Sequence, residues 1–302
     1  MDKPTALQKV VHFFLTKVII AILVIGLLVA LIEWLRVLVL DKTNLTDNIK
    51  NIIVAVADSV MAVAGYILLF KIYDKRRVTE LSASAFSKNA IIGSVTGLVL
   101  QSLFILVVYT TGSYAVVQIN PVSTLINPFA FALTAGFVAE ILIIGVVFRL
   151  LEEQSGTVIA LTVFILLFAV LHVNSKGATF VSVCATAIQA GFMLPAAYVF
   201  SRSLWLPIFL HFSWDFAEPG IFGGINPSSS LTQGLFTSKI TGNPLITGGE
   251  TGPQGSLQSL LLCLLTGIIF LLLAKRKNNL IKPGWARIAS NKSIAASGVE
   301  HA

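Results

Sequence analysis

Five ionisable residues stand inside apolar stretches from which lipid should exclude them: Asp58, Glu140, His172, His211 and Asp215. A charged side chain in a bilayer interior costs about 3 kcal/mol on insertion scales, so each of these residues needs a partner or a task. His211 and Asp215 are four residues apart, the spacing at which two side chains leave one face of a helix and can hydrogen-bond. Phe168 and His172 repeat that spacing on another stretch. Carboxyl and imidazole groups brought together in a dry place can deprotonate a water molecule and aim donors at a developing negative charge. Amide hydrolysis requires both. The same four groups, Glu140, His172, His211 and Asp215, also make a ligand composition suited to Zn²⁺, although no His-Glu-x-x-His spacing is present. Asp58, near Ser59 and Tyr66, reads as a carboxyl bonded to a neighbouring helix.

The elements that must position these groups are membrane helices. Of 302 residues, 56% are hydrophobic and only 12% charged, and the mean hydropathy is +0.88. A soluble domain carries about twice that charge. Apolar blocks cover roughly 18–40, 50–71, 88–110, 121–150, 157–172, 179–200, 204–216 and 256–274. The uncharged run between Lys88 and Glu140 is too long for one helix, and the turn signals at Thr110-Thr111-Gly112 and Asn120-Pro121 divide it. The expectation is an all-α polytopic bundle of about eight transmembrane helices. Its first block lacks the short apolar core and small-residue cleavage site of a signal peptide, and Glu33 and Arg36 near its end can neutralise each other. Cys184 and Cys263 lie within apolar blocks and imply no disulfide framework.

Sixteen of the 21 basic residues, Arg149 and Arg202 among them, fall on the side that carries the termini. Arg36, Lys42, Lys50, Lys176 and Lys239 fall on the other. This bias predicts cytoplasmic termini. The basic stretch from Lys275 to Lys292 reads as a stop-transfer anchor or a contact with anionic lipid. Basic residues track helix ends and form no stripe with aromatics, so nucleic acid is not an expected partner. Trp34, Trp205 and Trp285 read as interfacial anchors, whereas Trp214 either lines a site beside Asp215 or packs. His12 is expected at the interface and His301 in a terminal tail. From 217 to 255 there are nine glycines and four prolines, so this stretch is expected to be a long non-helical connection, with Glu218, Pro219 and Gly220 closing the seventh span. No internal repeat is visible, which disfavours a secondary transporter. On straight helices with a rise of about 1.5 Å per residue, His211 would lie about 10 Å deep, Glu140 about 15 Å and His172 about 24 Å. A shared site therefore requires tilt or a late helix start.

The same residues carry a resemblance. The run Ala139-Glu140-Ile141-Leu142-Ile143-Ile144-Gly145, followed by Phe148-Arg149-Leu150-Leu151-Glu152-Glu153 and Gly156, resembles the first motif region of the CPBP family. That family comprises CAAX proteases and bacteriocin-processing proteins and is also called Abi. The family pattern there is Glu-Glu-x-x-x-Arg. Phe168-Ala169-Val170-Leu171-His172 is similar to its second motif, Phe-x-x-x-His. His211-Phe212-Ser213-Trp214-Asp215 is similar to its third, His-x-x-x-Asn/Asp, and Leu206-Pro207-Ile208 just before it is also family-like.

What the resemblance implies is an intramembrane endopeptidase acting on a membrane-associated or prenylated CAAX-like substrate. A glutamate and His172 would activate water, and His211 with Asp215 would steady the oxyanion or orient the other groups. It divides the chain into N-terminal transmembrane helices (1–122), a CPBP-like domain (123–274) and a basic tail (275–302). The expected setting is a bacterial cell membrane. Against the motif, Ala139 stands where the first glutamate is expected and Ile144 where the arginine is, which leaves Glu140 alone of the three charged groups. Three readings follow: an endopeptidase in which Glu140 has taken over water activation, an inert member that binds a membrane peptide or serves in bacteriocin immunity, and a zinc-assisted hydrolase. No cofactor is implied by the first two.

Overall fold

The computed structural model describes residues 14–224 and 234–283. His12, Trp285, His301 and the tail beyond residue 283 lie outside the described residues.

Four apolar rods begin the chain: α1 (Phe14–Leu38), α2 (Asp47–Ile72), α3 (Phe86–Thr110) and a fourth opened by α4 (Ile126–Thr134). The fourth continues through two π-helical segments, Ala135–Ala139 and Ile141–Phe148, into α5 (Arg149–Ser155). Then come α6 (Thr157–His172), α7 (Phe180–Ile188) running through a π segment, Gln189–Met193, into α8 (Leu194–Ser201), and α9 (Trp205–Phe216) with a terminal π turn, Ala217–Ile221. A short α10 (Pro244–Thr247) precedes α11 (Leu257–Arg276). Hydrophobic residues encircle most of these rods, and apolar side chains on their outer faces, such as Leu27, Val60, Ile91 and Leu261, are exposed. That pattern suits hydrocarbon as the surrounding solvent.

The chain is an integral membrane protein built as an all-α bundle. Among the described residues six helices are long and apolar enough to cross a membrane, fewer than the eight expected. The two that fall short are α6, with 16 residues, and α9, with 12. At about 1.5 Å per residue neither reaches the roughly 30 Å of a hydrocarbon core.

Contacts between connections define two ends. At one, Lys17 Nζ meets Asp74 Oδ1 at 2.6 Å, Leu204 N–H donates to Glu80 O at 2.8 Å and Thr157 N–H to Ile281 O at 3.0 Å. At the other, Asn51 donates to Asn127 at 3.0 Å, and Tyr114–Ile119 (β1) pairs antiparallel with Phe236–Ile240 (β2). The strand pair was not expected. It arises because Tyr114-Ala-Val-Val-Gln-Ile119 is β-branched and aromatic and lies between the two turn signals that break the apolar run. The 217–255 connection is accordingly not structureless: its described part carries β2, α10 and two 3₁₀ turns, Gly249–Thr251 and Pro253–Gly255.

Close approach of α3 and α9 sets the bundle's centre. Gly93 and Gly97, four apart on α3, face the α9 backbone; a Cβ on Gly97 would stand 2.6 Å from Leu210 O and 2.1 Å from Ser213 Oγ. Small residues at this spacing let helix backbones meet in a membrane. Gly136 does the same for the fourth rod, where a Cβ would lie 3.0 Å from Ile208 O and Phe212 N. Wedged between α3 and the fourth rod, α9 has its position fixed from two sides.

Two residues that enter the charge bias also have buried partners. Arg149 is 4% exposed; its Nε donates to Gly145 O at 2.9 Å and to Tyr66 Oη at 3.1 Å, and its guanidinium also binds Glu153. Arg202 donates to Glu152 Oε2 at 2.7 Å and Oε1 at 3.0 Å. Tyr66, Arg76 and Glu80 complete the cluster, with Arg76 Nη2 2.5 Å from Glu80 Oε1. Burial opposes ionisation of Glu80, but hydrogen bonds from Arg76 and Tyr66 outweigh it and hold the carboxyl below the usual carboxylate range. Trp205 is likewise no surface anchor: it is buried, its indole donates to Ser82 O at 3.1 Å, and it packs edge-on against Phe86.

Candidate active site

Each motif region delivers a side chain to one cavity of about 180 Å³, lined by Glu140, His172, His211 and Asp215 among others. Glu140, only 2% exposed, joins the two π segments of the fourth rod. Such segments carry an extra residue per turn and recur where a helix must re-aim a side chain. Glu140 Oε1 lies 2.7 Å from His211 Nδ1, and His211 Nε2 lies 3.3 Å from Asp215 Oδ2. The imidazole is thus clamped between two carboxyl groups, one from its own helix at i+4 and one from the fourth rod. Glu140 Oε2 is buried and has no hydrogen-bond partner among the described residues.

His172 closes α6 and lines the same cavity. Its Nδ1 lies 2.9 Å from Phe168 O, and its ring stacks on Phe168 with centroids 6.0 Å apart. A carbonyl only accepts, so Nδ1 carries the hydrogen, and in the neutral ring Nε2 is the nitrogen with the lone pair. The i,i+4 relation with Phe168 therefore fixes the tautomer.

Ala139 does not line the cavity. Ile144 is fully buried in the hydrophobic core. Asp58 is buried on α2, outside the cavity lining, and its Oδ1 has no partner among the described residues. Trp214 both packs, edge-on against Phe104 at 5.1 Å, and lines the cavity. Glu218 is fully buried and accepts from Gln101 at 2.9 Å.

Two lining residues carry no mark in the sequence. Gln189 sits in the π segment of the sixth rod and donates to Gln254 O and Ser259 Oγ, both at 2.6 Å. Gln254 arrives on the 3₁₀ turn before α11 and accepts from Trp214 Nε1 at 3.4 Å. A wider cavity of about 360 Å³, bordered by His172, Lys176, Thr186 and Gln254, adjoins the first, with which it shares three residues. It lies at the end of the bundle that holds the strand pair.

As a metal centre the donor set does not fit. Among the described residues no group of three or more His, Cys, Asp and Glu side chains is arranged to hold an ion, and both nitrogens of His211 already face carboxylates.

Residues 121–217 match the family model described as Type II CAAX prenyl endopeptidase Rce1-like. This is a protease family, and it is the CPBP relationship that the three motifs resemble. The Rce1-like segment begins just ahead of α4 and ends just past α9, so it contains Glu140, His172, His211 and Asp215 but neither α3 nor Gln254. No curated protein and no solved structure matches the chain.

Proposed function

We propose that the chain is an intramembrane endopeptidase that hydrolyses a peptide bond in a membrane-associated, CAAX-like substrate, with Glu140 as the residue that activates water. The single observation that carries this reading is that Glu140 reaches His211 at 2.7 Å across a cavity that His172 also lines. On this reading the first motif is taken one residue later. Glu140 then occupies the first glutamate position, and Ile141 and Gly145 stand where the second glutamate and the arginine are expected.

A water held between Glu140 Oε2 and His172 Nε2 donates one hydrogen to each. As its oxygen attacks the carbonyl carbon, Glu140 takes the proton, the carbonyl oxygen becomes negative, and a tetrahedral centre forms. Collapse breaks the C–N bond, and the same proton passes to the leaving nitrogen, giving a carboxylic acid and an amine. The acid's remaining proton, the second hydrogen of the water, then passes to the amine, so that the products leave as carboxylate and ammonium. His211, braced by Asp215, fixes the rotamer of Glu140. Positioned proton transfer of this kind contributes about 10²- to 10⁴-fold in rate.

The site left by the arginine supports the change in pattern. A Cβ on Gly145 would stand 3.0 Å from both Tyr66 and Leu204, and Arg149, one turn later, fills the space beyond. The inert, peptide-binding reading draws on the same substitution, since no arginine follows Glu140 at the motif spacing. Turnover of a farnesylated CAAX peptide by the purified chain in lipid bilayers decides between them. Wild-type cleavage that falls by at least about 10²-fold in Glu140→Gln is expected; equal rates in the two proteins would refute the assignment.

A further inference from the structure

The carbonyl oxygen of a substrate needs a hydrogen-bond donor as it becomes negative, and a donor already committed elsewhere cannot serve without breaking a bond. Donor side chains lining the 180 Å³ cavity are His172, Thr186, Gln189, His211, Trp214 and Gln254. His172 spends Nδ1–H on Phe168 O and faces the cavity as an acceptor. The single hydroxyl hydrogen of Thr186 goes to Ser182 O at 3.0 Å. Both amide hydrogens of Gln189 are used, on Gln254 O and Ser259 Oγ. Both nitrogens of His211 face carboxyl groups. The one N–H of Trp214 goes to Gln254 Oε1. The side-chain amide of Gln254 is what is left.

Gln254 is also held in place. Because an indole N–H can only donate, the contact with Trp214 assigns Oε1 to that side and turns Nε2 away from it. The backbone carbonyl of Gln254 is pinned by Gln189 at 2.6 Å, and Ser256, two residues on, caps α11 by accepting from Ser259 N–H. Nε2 donates to no atom of the described residues, and it is the only neutral amide in the cavity with hydrogens to spare.

We infer that Gln254 is a catalytic residue of the peptidase reaction, its Nε2–H₂ donating to the scissile carbonyl oxygen as that oxygen takes up charge. The inference rests on the endopeptidase reading and extends it: the trio Glu140–His211–Asp215 works as base and brace, and the oxyanion is stabilised from the turn before α11 by a residue outside the Rce1-like segment. A neutral donor suits this place, because a cation there would pair with Glu140 and quench the base.

The test compares wild type, Glu140→Gln, Gln254→Met and Gln254→Glu in lipid bilayers. Methionine keeps the length of the side chain and every backbone contact but has no N–H. Gln254→Met is expected to lose about 10²-fold in kcat, with KM changed less than about threefold and thermal stability lowered only by the loss of the one long contact from Trp214. Gln254→Glu, which keeps an acceptor for Trp214 but sets a carboxylate against the oxyanion, is expected to lose more. If wild type cleaves and Glu140→Gln does not, while Gln254→Met keeps the wild-type kcat, the inference is overturned and the endopeptidase reading stands. A second readout needs no turnover: binding of a CAAX peptide with a phosphinate in place of the scissile bond. Wild type is expected to bind it at least about tenfold more tightly than Gln254→Met. Equal affinity, or binding by neither protein, overturns the inference even where no cleavage is seen.

Discussion

Two buried polar clusters lie along the fourth rod, and they are built from different chemistry. Around Arg149 the cations Arg76, Arg149 and Arg202 meet the anions Glu80, Glu152 and Glu153. Around Glu140 there is no arginine or lysine: two carboxyl groups share one imidazole, and a second imidazole lines the same cavity. Both clusters pay the desolvation cost of placing charge in a low-dielectric interior. They differ in whether the partner can exchange protons. A guanidinium stays charged throughout the accessible pH range and makes a fixed clamp, whereas imidazole can give and take a proton near neutrality. The first cluster is matched charge for charge. The second keeps an unpartnered oxygen on Glu140 and a free lone pair on His172, both groups lining one cavity.

If this contrast is right, stability and turnover should separate cleanly between the clusters. Replacing Arg149 with methionine removes its pair with Glu153 and its bonds to Tyr66 and Gly145 O, while Glu80 keeps Arg76. The loss of these charged hydrogen bonds is expected to cost about 3 kcal/mol of stability, read as a fall in unfolding temperature in detergent. The kcat of the molecules that stay folded should hardly change, the reverse of Glu140→Gln. A smaller effect is expected for Gly97→Leu, which touches neither cluster. Its Cβ alone would collide with Leu210 O and Ser213 Oγ, so α9 must shift at a cost of about 1–3 kcal/mol. Because α9 carries His211 and Asp215, the folded fraction should also lose activity, measured as kcat per folded molecule. The smallest expected effect is a pH dependence. The carboxyl of Glu80 is held below its ordinary range, so the unfolded chain binds its proton at higher pH than the folded one does. The contribution of Glu80 to stability is therefore complete above the ordinary carboxylate pKa and is lost as pH falls through its lowered folded value. Unfolding temperature followed down through that window should drop more for wild type than for Glu80→Gln.

How much of this was legible in the sequence depended on what marks a residue leaves. His211 and Asp215 announce themselves by i,i+4 spacing in an apolar helix, and His172 by its phase with Phe168. The aim of Glu140 was harder to read. The run Ile141–Phe148 is apolar on every side, so no polar residue betrays its phase, and the π geometry that turns Glu140 into the cavity leaves no periodic trace. The buried partners of Arg149 and Arg202 were hidden for a related reason: arginine near a helix end looks the same whether it faces headgroups or a buried glutamate. Gln254 carried no signal, since a glutamine in a Gly- and Pro-rich connection has no helical frame to assign it a face. The strand Tyr114–Ile119 was hidden by being as apolar as the helices on either side.

That strand has a mechanical consequence. Asn120 grips Gly234 O and Thr237, Tyr114 Oη donates to Phe222 O, and Thr241 N–H donates to Ser113 O. The connection that ends in Gln254 is thereby riveted to the α3–α4 connection at several points, ahead of the turn that enters the cavity. A segment fastened in this way behaves as a fixed rim rather than a hinged flap. The turn that brings Gln254 to the cavity is thus anchored twice, through the β-ribbon and through Gln189, which holds its backbone carbonyl at 2.6 Å.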